Sequence, residues 1–401
     1  MKIVYIHSSY QANDLIGQWF SVTQKQLQQQ QGNAWFAIKF RHQGSNPKDI
    51  MIGDSISCGI HARMFDYFGI QDMLSRRATK RFLKRLDEIR PDIIHCHVIN
   101  DCFLNIGLFS NYVNKHQIKV VWTFHDARVL TGMCACPRYT ECNQWENQCK
   151  YCPKENCIIS PRYRWTNLVS FVHKYRKKTI GSIESLTIVT PSKWMQSLVK
   201  QSYLKDKSCI VINNGINLKV FRPVASDIKK QYGIPDGKKV LLSVANPIWK
   251  LKGRDYLLKL VNDLPEEYYM IFIGSLEQDV EALKSRRNVL ALPRIDREEL
   301  VQFYSVADLF INPTLADNFP TVNLECQACG TPIVAFDSDG TRETIDSGSG
   351  IVVERKNYEA LKNAILNFRY GKKVREECLC FARQYDQKST IQKYIQLYHS
   401  L

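Results

Sequence analysis

Short apolar runs that each end in polar residues recur along this chain, separated by stretches of helical character. They fall at residues 3–6, 91–97, 120–126, 187–194, 239–245, 270–274, 289–293, 309–314 and 333–336. Strands buried on both faces read as continuous apolar runs, and helices between them supply the crossovers that parallel strands need. The pattern predicts an α/β chain built on doubly wound parallel sheets, whose ligands sit beyond the carboxyl ends of the strands. A chain of 401 residues is long for one core and suggests two domains.

Composition narrows the class of partner. Hydrophobic residues make up 44% and charged residues 23%, as in an ordinary soluble globular protein, and no apolar run reaches bilayer-spanning length. The net charge of +16 favours anionic partners: nucleic acid, an anionic lipid surface or a nucleoside diphosphate all satisfy it. The sequence opens directly into a strand and carries 14 cysteines, which points to a reducing, cytosolic setting and to metal ligation rather than disulfides.

One stretch gathers the chemistry: Asp317-Asn-Phe-Pro-Thr-Val-Asn-Leu-Glu325-Cys-Gln-Ala-Cys-Gly-Thr-Pro-Ile-Val-Ala-Phe336. It reads as loop, helix start, helix, tight turn and buried strand. The first-turn N–H groups make an anion site, and Glu325 can meet a sugar hydroxyl. The bland reading is an amphipathic helix with an exposed acid at each end. Upstream, Asn246-Pro-Ile-Trp-Lys-Leu-Lys252-Gly253 places bases at a strand's carboxyl end, and His97 and His125 stand at two equivalent strand ends. A single such histidine is usually structural; two at matching positions favour a site. Residues 76–90 form a strongly basic amphipathic helix, fit either for anionic lipid or for plain solvent. Residues 161–178 mix bases with aromatics, as nucleic-acid and membrane-interface segments do. Cys149-Lys-Tyr-Cys152, with Cys134 and Cys142 before it, has the spacing of a tetrahedral zinc site; free thiols or disulfides are the alternatives.

In order and spacing these stretches resemble the retaining glycosyltransferases of family 4, whose signature is an acid, seven residues, then Glu. Here the first acid is Asp317, as in the variant found in bacterial polysaccharide-assembly transferases, and the second is Glu325. His125-Asp126, Asn214-Gly-Ile-Asn217 with Phe221-Arg-Pro223, Lys252-Gly253 and Asp339-Gly-Thr-Arg-Glu343 match further family segments. Pro247 stands where many members carry an Arg, and the usually glycine-rich loop 8–17 keeps only Gly17. Thr131-Gly-Met-Cys134 and Trp145-Glu-Asn-Gln-Cys149-Lys-Tyr-Cys152-Pro153 resemble a Cys-rich subgroup.

The resemblance implies the GT-B arrangement of two Rossmann-like domains facing a cleft. Residues 1–220 would form the acceptor side with a Cys-rich insert at 131–157, and 221–380 would bind the nucleotide sugar, with 381–401 returning as a helix to the first domain. It implies that Lys252 neutralises the donor diphosphate and that Glu325 holds the ribose. Asp317 and the following Asn318, Phe319, Pro320, Thr321 and Val322 would face the donor sugar and diphosphate, with Arg294 and Asn246 completing the donor site. His125 would approach the donor sugar, with His97, Asp126 and Gly17 on the acceptor side. The implied reaction is retaining transfer from a UDP- or GDP-sugar to a lipid-linked oligosaccharide of a bacterial surface polysaccharide, at the anionic inner membrane. Catalysis would need no cofactor, any zinc on Cys134, Cys142, Cys149 and Cys152 would be structural, and no nucleic acid is expected. The rival reading is a zinc-ribbon nucleic-acid binder. An oxidoreductase or epimerase would want a Gly-x-Gly-x-x-Gly turn after the first strand, which residues 8–17 lack.

Overall fold

The computed structural model describes the whole chain except residues 9–14, 30–31, 40–48, 151, 153–165, 167, 246 and 248 and the side chains of 15, 16, 18 and 19. Two compact units result: residues 1–212 together with 391–401, and residues 213–390.

The first unit is a seven-stranded parallel sheet. Its strands are β1 (Lys2–His7), β2 (Asn33–Ile38), β3 (Ile50–Met51), β4 (Ile93–Cys96), β5 (Lys119–Thr123), β6 (Leu186–Thr190) and β7 (Ser208–Val211). They lie in the order β3-β2-β1-β4-β5-β6-β7, so the winding reverses between β1 and β4. One face packs on Phe82, Leu86, Phe103, Phe109 and Trp122. The other is covered by Phe20, Leu27 and, from the last helix (Gln387–Ser400), Ile391, Tyr394, Ile395 and Tyr398.

The second unit is a six-stranded parallel sheet of β8 (Lys239–Val244), β9 (Tyr268–Ile273), β10 (Val289–Leu292), β11 (Leu309–Asn312), β12 (Ile333–Phe336) and β13 (Gly350–Val353). The order is β10-β9-β8-β11-β12-β13, with the reversal between β8 and β11. All six residues of β9 are buried, as a strand covered by helices on both faces requires. Among the described residues, no helix is long and apolar enough to cross a membrane.

Three expectations need correction. The first unit ends at Ile212, not at 220, because the passage beyond it is stitched into the second unit: Ile216 N–H bonds to Tyr385 O at 2.8 Å and Gln387 N–H to Ile216 O at 2.9 Å. The same stitching carries the second unit on to Thr390 rather than 380. Gly17 is not in a loop; it is buried in the first turn of the helix Leu15–Gln29.

Candidate active site

In the second unit a pocket of about 340 Å³ opens where β8 and β11 end, at the topological switch point. Its architecture starts from one glycine. The 3-10 turn Lys250–Lys252 closes on Gly253 at φ +80°, where a Cβ would lie 2.2 Å from Pro313 O. Only glycine permits this approach, and Leu315 N–H then bonds to Leu251 O at 2.8 Å. The clamp sets the Lys252 ammonium 2.6 Å from the Asp317 carboxylate, with both side chains partly open to solvent. Asp317 Oδ1 also accepts from Phe319 N–H at 3.3 Å, which turns the loop into Pro320 and the helix Thr321–Ala328. No side chain caps that helix. Its positive end and Lys252 therefore face the same pocket wall as Phe319, Pro320, Thr321 and Val322.

Buried amides hold the helix in place. Asn323 accepts from Asn312 Nδ2 at 2.7 Å and donates to Thr344 Oγ1 at 2.8 Å, and Gln327 donates to Thr344 O at 2.8 Å. These bonds tie the helix to β11 and to the turn Thr341–Thr344. Asp339, before that turn, adopts φ +50°, a left-handed conformation that glycine takes most easily and that Asp tolerates. One helical turn beyond Thr321, Glu325 stands outside the pocket lining and accepts from Tyr304 Oη at 3.1 Å. Burial raises its carboxyl above the usual range, opposed by that hydroxyl and by the Arg297 charge.

The first unit places its histidines together beside its own switch point. His97, just after β4, contacts His125, just after β5, through Nδ1···Nε2 at 3.0 Å with the rings stacked. His95 lies against His97 with ring centres 4.2 Å apart. Its nitrogens engage Tyr398 Oη at 2.7 Å and Thr123 Oγ1 at 2.8 Å, and Thr123 Oγ1 in turn meets Tyr394 Oη at 3.0 Å. Burial holds His95 and His97 well below their ordinary pKa, reinforced by neighbouring histidines. It lowers His125 too, against the pull of Asp126. The trio is thus uncharged at neutral pH and orients by hydrogen bonding rather than by charge. Asp126 is occupied otherwise: it caps the turn Ala127–Val129 and pairs with Arg128 at 2.7 Å.

Cys134, Cys142, Cys149 and Cys152 line one small cavity, and among the described residues no three metal-capable side chains converge at coordination distance. Asn318 is half-buried and Arg294 exposed, both off the pocket lining; Asn246 lies outside the described residues. Sequence reasoning missed Asn214, Ser243 and Asn312, which also line the pocket. The last two end strands that flank the reversal, a position invisible until strand order is known. Asn214 sits in the passage noted for its resemblance, but without a role.

Comparison with known proteins gives two family models. Residues 57–220 match Glycosyltransferase Family 4, and residues 224–384 match Glycosyl transferases group 1. The putative colanic acid biosynthesis glycosyl transferase WcaC of Escherichia coli K12 is 22% identical over 84% of this chain and 81% of its own. D-inositol 3-phosphate glycosyltransferase of Xylanimonas cellulosilytica is 32% identical, but the match spans only 36% of this chain and 39% of that protein. N,N'-diacetylbacillosaminyl-diphospho-undecaprenol alpha-1,3-N-acetylgalactosaminyltransferase of Campylobacter jejuni is 28% identical over 48% of this chain and 54% of its own. Among solved structures, a glycosyltransferase from Rickettsia africae superposes with TM-score 0.68 at 15% identity, covering 100% of this chain and 98% of its own. Anabaena HepE in complex with UDP gives 0.67 at 14% identity, with 100% of both chains covered.

Proposed function

The chain belongs to the glycosyltransferases through both of its domains, and we propose that it moves a sugar from a UDP- or GDP-sugar to a lipid-linked oligosaccharide, with retention of anomeric configuration. One observation carries this reading: Lys252 and the uncapped start of the helix Thr321–Ala328 face one pocket at the β8/β11 switch point. When a nucleoside diphosphate leaves an anomeric carbon, negative charge collects on its β-phosphate. A fixed ammonium and a fan of helix N–H groups stabilise that charge without reorganising.

The Lys252–Asp317 pair sets the order of events. Being partly exposed, the pair contributes little to stability, so a donor phosphate takes Lys252 from the carboxylate cheaply. Asp317 is then released to bind sugar hydroxyls. Glu325, oriented by Tyr304, receives the ribose. No carboxylate is assigned as nucleophile, which favours same-face attack over a covalent intermediate. The likeness to WcaC supports a polysaccharide or glycan product, and the diphospho-undecaprenol in the Campylobacter relative's name supports a lipid diphosphate acceptor. The helix Arg76–Ile89 exposes Arg76, Arg77, Lys80, Arg81, Lys84 and Arg85, the array that would rest on the anionic inner face of the cytoplasmic membrane.

The test is release of UDP or GDP from a panel of nucleotide sugars, with and without undecaprenyl-diphosphate-linked acceptors. Donor-selective turnover is expected, falling on the order of 10²-fold in Lys252→Ala and in Glu325→Ala while the far-UV spectrum is kept. Full turnover in either variant, or no thermal stabilisation by any nucleotide, would overturn the reading.

A further inference from the structure

We propose that Arg176 is a positioning residue: from inside the first unit it fixes the two strand-end loops that bring His97 and His125 into contact. The inference rests on the transferase reading only in taking that pair for part of the acceptor side. Residues 161–178 read from sequence as a nucleic-acid or membrane-interface segment, and the helix Val169–Thr179 does expose Phe171, Lys174, Lys177 and Lys178. Arg176, on the same helix, is fully buried. Its Nε donates to Asp72 Oδ2 at 2.6 Å and its Nη2 to Gln71 Oε1 at 2.6 Å. Its Nη1 donates to Thr131 O at 2.8 Å and to Arg128 O.

The guanidinium reaches two different loops. Its carbonyl contacts hold the turn Ala127–Val129 and the residues just after it, where the chain has left β5 through His125 and Asp126. Its contact with Gln71 carries on to the other loop, because Gln71 Nε2 donates to Asn100 O at 2.6 Å, in the passage that follows His97. Asp72 holds the far end of that passage: its carbonyl accepts from Ile106 N–H at 2.9 Å, where the helix Ile106–Lys115 begins. Stability alone gives no reason to bury this ion pair, since apolar side chains of like volume serve as well or better. What a guanidinium adds is a planar fork that fixes several acceptors at once. Asp72 also stands at φ +73°, a strained backbone that a non-glycine residue keeps only where its surroundings impose it, and such positions gather at functional sites. The contact being held is demanding. His97 Nδ1 and His125 Nε2 meet at 3.0 Å, so one ring must donate and the other accept, which ties their tautomers together. A slip of either loop breaks that tie.

The experiment compares Arg176→Lys, Gln71→Leu and the surface control Lys177→Ala in the full chain. Lysine keeps a charge beside Asp72 but cannot span both carbonyls and Gln71. One readout is the side-chain ¹H–¹⁵N spectrum of the histidines. The other is turnover of the UDP- and GDP-sugar panel with undecaprenyl-diphosphate-linked acceptors. In Arg176→Lys the tautomer-specific signals of His97 and His125 should split or broaden, and kcat should fall on the order of 10²-fold with donor KM unchanged. Lys177→Ala should match the unaltered chain in both. If Arg176→Lys does not fold, Gln71→Leu decides by the same readouts, since it releases the Asn100 loop and leaves both carbonyl bonds. Unaltered ring signals, or an unaltered kcat, would overturn the inference, even if the variant melts lower. Should the unaltered chain turn over no nucleotide sugar, it is the transferase reading that fails, and the ring signals alone then decide whether Arg176 positions the pair.

Discussion

At the scale of single residues, the pocket at the β8/β11 switch point depends on an atom that is missing. Gly253 has no Cβ, and Pro313 O occupies the space one would need. Gly253→Ala should cost on the order of 2–3 kcal/mol, from the positive φ together with the clash, and should displace Lys252 from Asp317. Urea unfolding reads the first effect and nucleotide binding the second; a loss under about 0.5 kcal/mol would show that the turn relaxes freely. The histidines make a different prediction. His61, His95 and His97 all have folded-state pKa values below the ordinary 6.5, His61 at about 4, because burial disfavours their charged forms. The unfolded chain therefore binds more protons near pH 6. Their stabilising effect is complete above about pH 6.5 and is lost as the pH falls below it. Between about pH 7.5 and 5.5 the buried rings should therefore lower stability by roughly a kcal/mol each. Equal urea midpoints at the two pH values would mean that they are not buried as neutral rings.

At the scale of elements, the helix Thr321–Ala328 is placed by its own buried amides, which bond to two neighbouring elements. Asn323 is fully buried and bridges Asn312 and Thr344. Asn323→Ala strands both partners, so a loss of about 2–3 kcal/mol is expected by chemical denaturation, with weakened nucleotide binding. An unchanged midpoint would show that the network is dispensable. Elements also divide what the sequence could tell. Strands such as β5 and β9 were legible as apolar runs because helices bury both their faces. The two-residue β3 and the half-exposed β13, each at a sheet edge, were not. The acid pair, Lys252 and the strand-end histidines were legible from local spacing. Ser243 and Asn312 were not, because only the order β8-β11 brings their ends together. Nothing local announces that His95 will meet Tyr398, a contact across 303 positions.

For the whole molecule, the first unit is completed by residues 391–401, after the chain has built all of the second. Deleting 391–401 removes Ile391, Tyr394, Ile395 and Tyr398 from one face of the seven-stranded sheet and leaves Tyr5 and His95 without their phenolic partners. Loss of even one such aromatic costs about 3–5 kcal/mol. The truncated chain should therefore melt in two steps. The first unit would unfold early, while the second, whose Ile216–Asp386 bridge is retained, would still be stabilised by nucleotide. A single transition at the original temperature would refute this.

The same return has a consequence for biosynthesis. On the ribosome, the first sheet emerges early but must wait, one apolar face only partly covered by Phe20 and Leu27, until Tyr394 and Tyr398 have left the exit tunnel. Throughout the synthesis of residues 213–390 that face is an opening for chaperones and a hazard for aggregation. A premature stop a few codons before residue 391 would therefore be felt first at the opposite end of the polypeptide.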